Sequence, residues 1–88
     1  MGAMRYSLEF TTSALREFRA LDLQIQRRIT AKITDLCANP FPPGVKKLQG
    51  EADHYRVRVG DYRIIYRIDG HRVVIVIVQI GHRREVYR

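Results

Sequence analysis

From His54 onward the sequence alternates. Tyr55, Val57 and Val59 are separated by Arg56 and Arg58, and after Gly60-Asp61 the alternation resumes from Tyr62 to Ile68. A period of two sustained this far fits strands with one buried face and excludes a helix, whose apolar positions would recur at three and four. The run Val73 to Val78, followed by Gln79 and Ile80, is apolar on both faces, which marks a strand flanked on either side. It is far short of the ~20 residues of a membrane helix. Gly60-Asp61 and Asp69-Gly70 carry hairpin turn chemistry, so the second half of the chain predicts consecutive antiparallel strands.

The first turn also predicts a register. If Gly60-Asp61 is a two-residue loop, Val59 faces Tyr62, Val57 faces Ile64 and Tyr55 faces Tyr66. The other face then carries Arg58 opposite Arg63, Arg56 across from Ile65 and His54 across from Arg67. Like charges directly opposed destabilise a sheet, and a guanidinium cannot discharge by losing its proton. An anion, phosphate above all, would reverse the sign of that interaction. The alternative is a set of strand arginines extended into water and screened there.

The first half reads differently. Tyr6, Leu8 and Phe10 alternate within residues 5–10, predicting a strand with those three on its buried side. Thr11, Thr12 and Ser13 offer N-caps for a short helix through Leu15, Phe18 and Leu21. Asp22 can cap a longer one in which Ile25, Ile29, Ile33 and Leu36 share a face, ending at Asn39-Pro40. Pro40, Pro42, Pro43 and Gly44 form the connector, and Glu85 to Arg88 add a last short strand or a packed tail. The expected fold is α+β, two N-terminal helices packed on an antiparallel sheet of about four strands in the order β-α-α-β-β-β.

At 88 residues this is one domain, expected over residues 4–88, with Met1-Gly2-Ala3 reading as a cloning scar before a native start. The lone Cys37 forms no internal disulfide and reads as a small buried hydrophobe. No Cys/His spacing suits zinc, so neither metal nor cofactor is expected and stability must come from packing. A single thiol without an apolar leader points to the cytoplasm and to no membrane partner. The formal charge is +7, and arginine supplies thirteen of the sixteen cations. Up to Val45 six basic residues stand against four acidic ones, whereas from Lys46 onward ten stand against five. A folded domain whose arginine excess sits on its strands points toward a polyanion.

Cutting RNA without a metal needs a base for the 2′-hydroxyl, cations around the phosphorane and a proton for the departing 5′ oxygen. Arg56, Arg58 and Arg63 suit the cationic part, joined by Arg83 and Arg84, which follow the flanked strand at the same end as the Arg58 and Arg63 pair. Tyr87 is a candidate base if neighbouring cations lower its pKa, and otherwise an interfacial aromatic. His82 is a candidate acid or base at neutral pH. Arg67 and Arg72 flank the opposite turn and read as solvated.

The order of elements, together with Lys47-Leu48-Gln49-Gly50, the stretch from Tyr55 to Tyr66 and the ending from Gly81 to Tyr87, resembles the RelE/ParE toxin superfamily, and its RelE branch in particular. The resemblance spans residues 4–88. It implies the toxin of a bacterial type II toxin-antitoxin pair, an endoribonuclease that cleaves mRNA in the A site of the 70S ribosome and is held by a cognate antitoxin. It further implies a site of Arg56, Arg58, Arg63, Arg83 and Tyr87, with Tyr87 as base, Arg58, Arg63 and Arg83 on the phosphorane and Arg56 positioning the RNA. His82 or Arg83 is then the candidate acid, while His82, Arg84 and Lys47 contact substrate. Arg56 and Arg58 stand where the best-known members carry lysines, and arginine is a poor proton donor. The alternative within the superfamily is a ParE-like inhibitor of DNA gyrase that cleaves nothing.

Overall fold

Each helix begins where a side chain can satisfy its first free amides. A computed structural model of the chain describes residues 6–50 and 53–82. Thr11, extended at ψ 161°, accepts the Ala14 amide through Oγ1 at 3.1 Å and opens α1, Thr12–Arg19. Asp22 does the same for α2, Leu23–Ala38, with Oδ1 accepting the Ile25 amide at 3.0 Å. Between them the chain is braced by Gln26, whose Nε2 donates to the Leu21 carbonyl at 2.9 Å. The second helix stops because Pro40 forces Asn39 into extended backbone, at φ −145° and ψ 97°.

Five strands form one sheet: β1 Ser7–Phe10, β2 Lys46–Lys47, β3 His54–Val59, β4 Tyr62–Asp69 and β5 Val74–His82, in the spatial order β1-β5-β4-β3-β2. The β3–β4 hairpin takes the expected register, with Val59 opposite Tyr62 and Arg58 opposite Arg63. Gly60 supplies the positive φ, 58°, that its turn requires. The β5 strand lies between β1 and β4, and Val74, Ile75, Val76 and Ile77 are buried on both its faces.

The fold class is the expected one, and three details differ. The sheet is mixed, because β1 pairs with β5 in parallel. Hairpin turns orient only strands adjacent in sequence, whereas these two are joined through the helices and the rest of the sheet. A fifth strand, β2, pairs antiparallel with β3, with Lys46 opposite Arg56 and Lys47 opposite Tyr55. The second hairpin closes through four residues, not two: Asp69 pairs with Val74, and its Oδ1 accepts the amides of His71 and Arg72, both at 3.1 Å. The left-handed residue there is Val73 at φ 58°, not Gly70.

The core lies between the helices and one face of the sheet. Ile29, Ile33, Leu36 and Cys37 of α2 and Ala14 of α1 meet Val57, Ile64, Tyr66, Ile75, Ile77 and Ile80. Each fully buried aliphatic side chain contributes about 1.5–3 kcal/mol. Leu8 departs from its expected burial: it sits opposite Ile75 and shares its face, but β1 is the outer strand and Leu8 stays 41% exposed. No helix among the described residues is long and apolar enough to cross a membrane.

Candidate functional site

Because the helices cover the face that carries Val57 and Ile64, alternation turns Arg56, Arg58 and Arg63 to the opposite face. The two arginines of the facing pair are not equivalent. Arg58 is exposed, while Arg63 is only 9% exposed, with Nε and Nη1 shielded from solvent. The register places Gly81 of β5, which has no side chain, directly beside Arg63. Its guanidinium brings a fixed positive charge to this part of the sheet.

The antiparallel pairing of β2 with β3 brings a further cation. Lys46 lies directly opposite Arg56 and shares its face. Gly44, at φ 88°, turns the chain into this strand. A small cleft of about 80 Å³ is lined by Gly44, Lys46, Arg56, Val57, Arg58 and Arg63. Four of these six described residues carry a basic side chain, so the cleft gathers positive charge at one place on the sheet.

The other expected residues fall elsewhere. Lys47 takes the opposite face of β2, opposite Tyr55. His82 ends β5 opposite Tyr62, and their rings meet edge to face with centroids 5.6 Å apart. Both line a larger hollow of about 480 Å³ between α1 and the ends of β4 and β5, which also holds Glu17. The structure therefore gathers Arg56, Arg58 and Arg63 but sets His82 on the side of the sheet that bears Tyr62. Arg83, Arg84 and Tyr87 lie outside the described residues. Arg72 is exposed as expected and yet tied down, by an ion pair to Glu9 and by a second contact to Asp69 at 3.8 Å. Among the described residues no group of three or more His, Cys, Asp and Glu side chains is placed to hold a metal ion.

Lys46 is the lining residue that the sequence reading passes over. A two-residue strand has no periodicity to detect, and the sequence between Leu48 and His54 bears no strong hairpin dipeptide. The Leu48 amide donates to the His54 carbonyl at 2.9 Å, which continues the pairing of Lys46 with Arg56.

Two helices over this mixed five-stranded sheet define the fold of the RelE toxins. The isolated Escherichia coli RelE toxin superposes with a TM-score of 0.79 at 26% identity, over 88% of this chain and 83% of that one. The RelE of the archaeal RelE-RelB complex from Pyrococcus horikoshii OT3 does so with 0.79 at 30% identity, over 91% and 97%. A family model described as the ParE toxin of the type II toxin-antitoxin system, parDE, matches residues 8–87, and the chain belongs to that family of toxins. Within it the chain is RelE-like. It is 33% identical to Toxin RelG of Mycobacterium tuberculosis over 97% of this chain and 99% of that protein. It is 30% identical to the mRNA interferase toxin RelE of Escherichia coli K12 over 96% and 92%.

Proposed function

We propose that the protein is an endoribonuclease toxin that cleaves mRNA on the 70S ribosome, in the A site, and is neutralised by a cognate antitoxin. The observation that carries this reading is the cleft lined by Lys46, Arg56, Arg58 and Arg63, which gathers four basic side chains at one place on the sheet. Its size suits a phosphate group and not a whole nucleotide. A backbone phosphate seated there offsets the repulsion between Arg58 and Arg63, and the extra negative charge of the phosphorane is stabilised more strongly still.

In this reading the 2′-hydroxyl attacks phosphorus, the bond to the 5′ oxygen breaks, and the products are a 2′,3′-cyclic phosphate and a 5′-hydroxyl. Arg58 and Arg63 stabilise the phosphorane, with Arg83 beside them, Arg56 holds the RNA backbone, and Tyr87 takes the 2′-hydroxyl proton. Arg84, Lys47 and His82 contact the message or the ribosome around it. Cations take up the charge that a metal would carry in other nucleases, so the reaction proceeds in chelator. The relatives named mRNA interferases support the activity, and the solved RelE-RelB complexes support the antitoxin partner.

In vitro translation followed by primer extension tests the reading. The expected result is discrete cuts in translated message, lost in Arg83→Ala and Tyr87→Phe proteins that remain folded. Intact message beside an active control toxin rejects it. The ParE description of the matching family model favours a second reading, inhibition of DNA gyrase. Loss of supercoiling at stoichiometric protein, with message uncut, selects that one.

A further inference from the structure

We propose that Glu17 of α1 is a positioning residue for the basic cleft, acting across the sheet through the end of β5; this rests on the nuclease reading above. Its Oε1 accepts the Ile80 amide at 2.8 Å, a part-buried bond between residues 63 positions apart. On the other edge of β5, Ile80 pairs with Ile64 and Gly81 with Arg63. Because the Ile80 amide points to α1 and away from β4, alternation turns the amide and carbonyl of Gly81 toward Arg63. Arg63 lines the cleft on the opposite face of the sheet. One carboxylate on the helix side thus fixes the backbone that flanks a cleft guanidinium.

This strand end needs the hold because its other supports stop short of it. The β1 ladder reaches only Ile77, the Thr11 amide donates to the Ile77 carbonyl, and Thr11 Oγ1 donates to that of Val78. The bond from the Ile80 amide to Glu17 continues the series one step further along the same edge. Below it lies the hollow of about 480 Å³, lined by Glu17, Tyr62, Gly81 and His82 among others, whereas Val74 to Ile77 are closely packed. Here, then, a hydrogen bond supplements packing. From His82 the chain runs on to Arg83, so the same bond also bears on where that arginine leaves the sheet. Position is what matters to such groups: a guanidinium stabilises a phosphorane only when its donors are aimed at the oxygens, and a misplacement of about 1 Å can cost ~100-fold in rate.

The test separates position from stability. Glu17→Gln keeps an amide oxygen to accept from Ile80, and Glu17→Ala removes the acceptor. Tyr66→Phe, which removes the buried hydrogen bond to the Pro40 carbonyl, is the control for lost stability alone. Single-turnover cleavage of a ribosome-bound message is measured over a range of protein concentrations, with urea midpoints to show each variant folded. In Glu17→Ala the rate at saturation is expected to fall about 10-fold or more, while the half-saturating concentration stays within about two-fold. Glu17→Gln recovers to within about three-fold of the unsubstituted rate, and Tyr66→Phe stays within about two-fold. By NMR, the Gly81 amide and Arg63 Nε–H signals move in Glu17→Ala and return in Glu17→Gln. A Glu17→Ala protein that cleaves within about three-fold of the unsubstituted one at saturation overturns the assignment, as does a Glu17→Gln protein no faster than Glu17→Ala or a Tyr66→Phe protein slowed as much. If the unsubstituted protein cleaves nothing, the nuclease reading falls and the assignment with it, a result distinct from active cleavage that is indifferent to Glu17.

Discussion

Arg58 and Arg63 face each other across β3 and β4. Two guanidiniums on directly opposed positions repel, and neither can discharge. Replacing Arg58 with Thr, a good strand former, is therefore expected to raise stability by about 0.5 kcal/mol. Urea midpoints at low salt check this, and the gain shrinks as salt screens the pair. A second residue-scale prediction concerns Tyr66, which is fully buried and donates its hydroxyl to the Pro40 carbonyl at 2.5 Å. Burial, with the neighbouring Tyr55 phenol adding to it, pushes the Tyr66 pKa well above the ordinary tyrosine value. The unfolded chain loses this proton near pH ~10 while the native one keeps it. The contribution is thus complete below that pH and is lost as pH rises further, by up to about 1.4 kcal/mol per pH unit. Tyr66→Phe is expected to cost about 1–2 kcal/mol at neutral pH and to flatten the alkaline limb of midpoint against pH.

The strand β5 shows how neighbouring elements share one ladder. Its partner β1 covers only Val74 to Ile77, yet β5 continues to His82. Beyond that point α1 and its cap take over the exposed edge. The Thr11 amide donates to the Ile77 carbonyl at 2.9 Å, Thr11 Oγ1 donates to the Val78 carbonyl at 3.2 Å, and the Ile80 amide donates to Glu17 Oε1 at 2.8 Å. Glu17→Ala leaves the Ile80 amide without that acceptor at a part-buried position. The expected loss is about 1–2 kcal/mol, with exchange of the Ile80 amide accelerating more than that of Ile64 when followed by NMR. At this scale the sequence is a partial guide. Thr11, Asp22 and the Gly60-Asp61 turn act locally, so the helix starts and the β3–β4 register follow from residue types a few positions apart. The parallel β1–β5 pair joins residues 67 positions apart, Ser7 to Val74, and the pairing of Lys46 with Arg56 rests on a strand of two residues. Neither leaves a periodic trace.

Across the whole molecule the helices decide where chemistry can happen. Their apolar stripe takes the sheet face of Val57, Ile64 and Tyr66, which leaves Arg56, Arg58 and Arg63 on the opposite face and puts His82 with Tyr62 on the helix side. The arginine cluster was legible because alternation alone separates it from the core, whereas the sidedness of His82 depends on β4–β5 pairing, which shifts register between Ile65 and Tyr66. A chain of net charge +7 with arginines clustered on one sheet face is also expected to bind any polyanion more weakly as salt rises, which a binding titration at two salt concentrations checks. The central claim is that the cleft between β2, β3 and β4 is where RNA is cut. Single-turnover cleavage of one ribosome-bound message by the Arg58→Thr protein tests it most directly, because that substitution is expected to stabilise the fold. Its rate is expected to be about 100-fold below that of the unsubstituted protein, and a rate within about two-fold of it would contradict cleavage in this cleft.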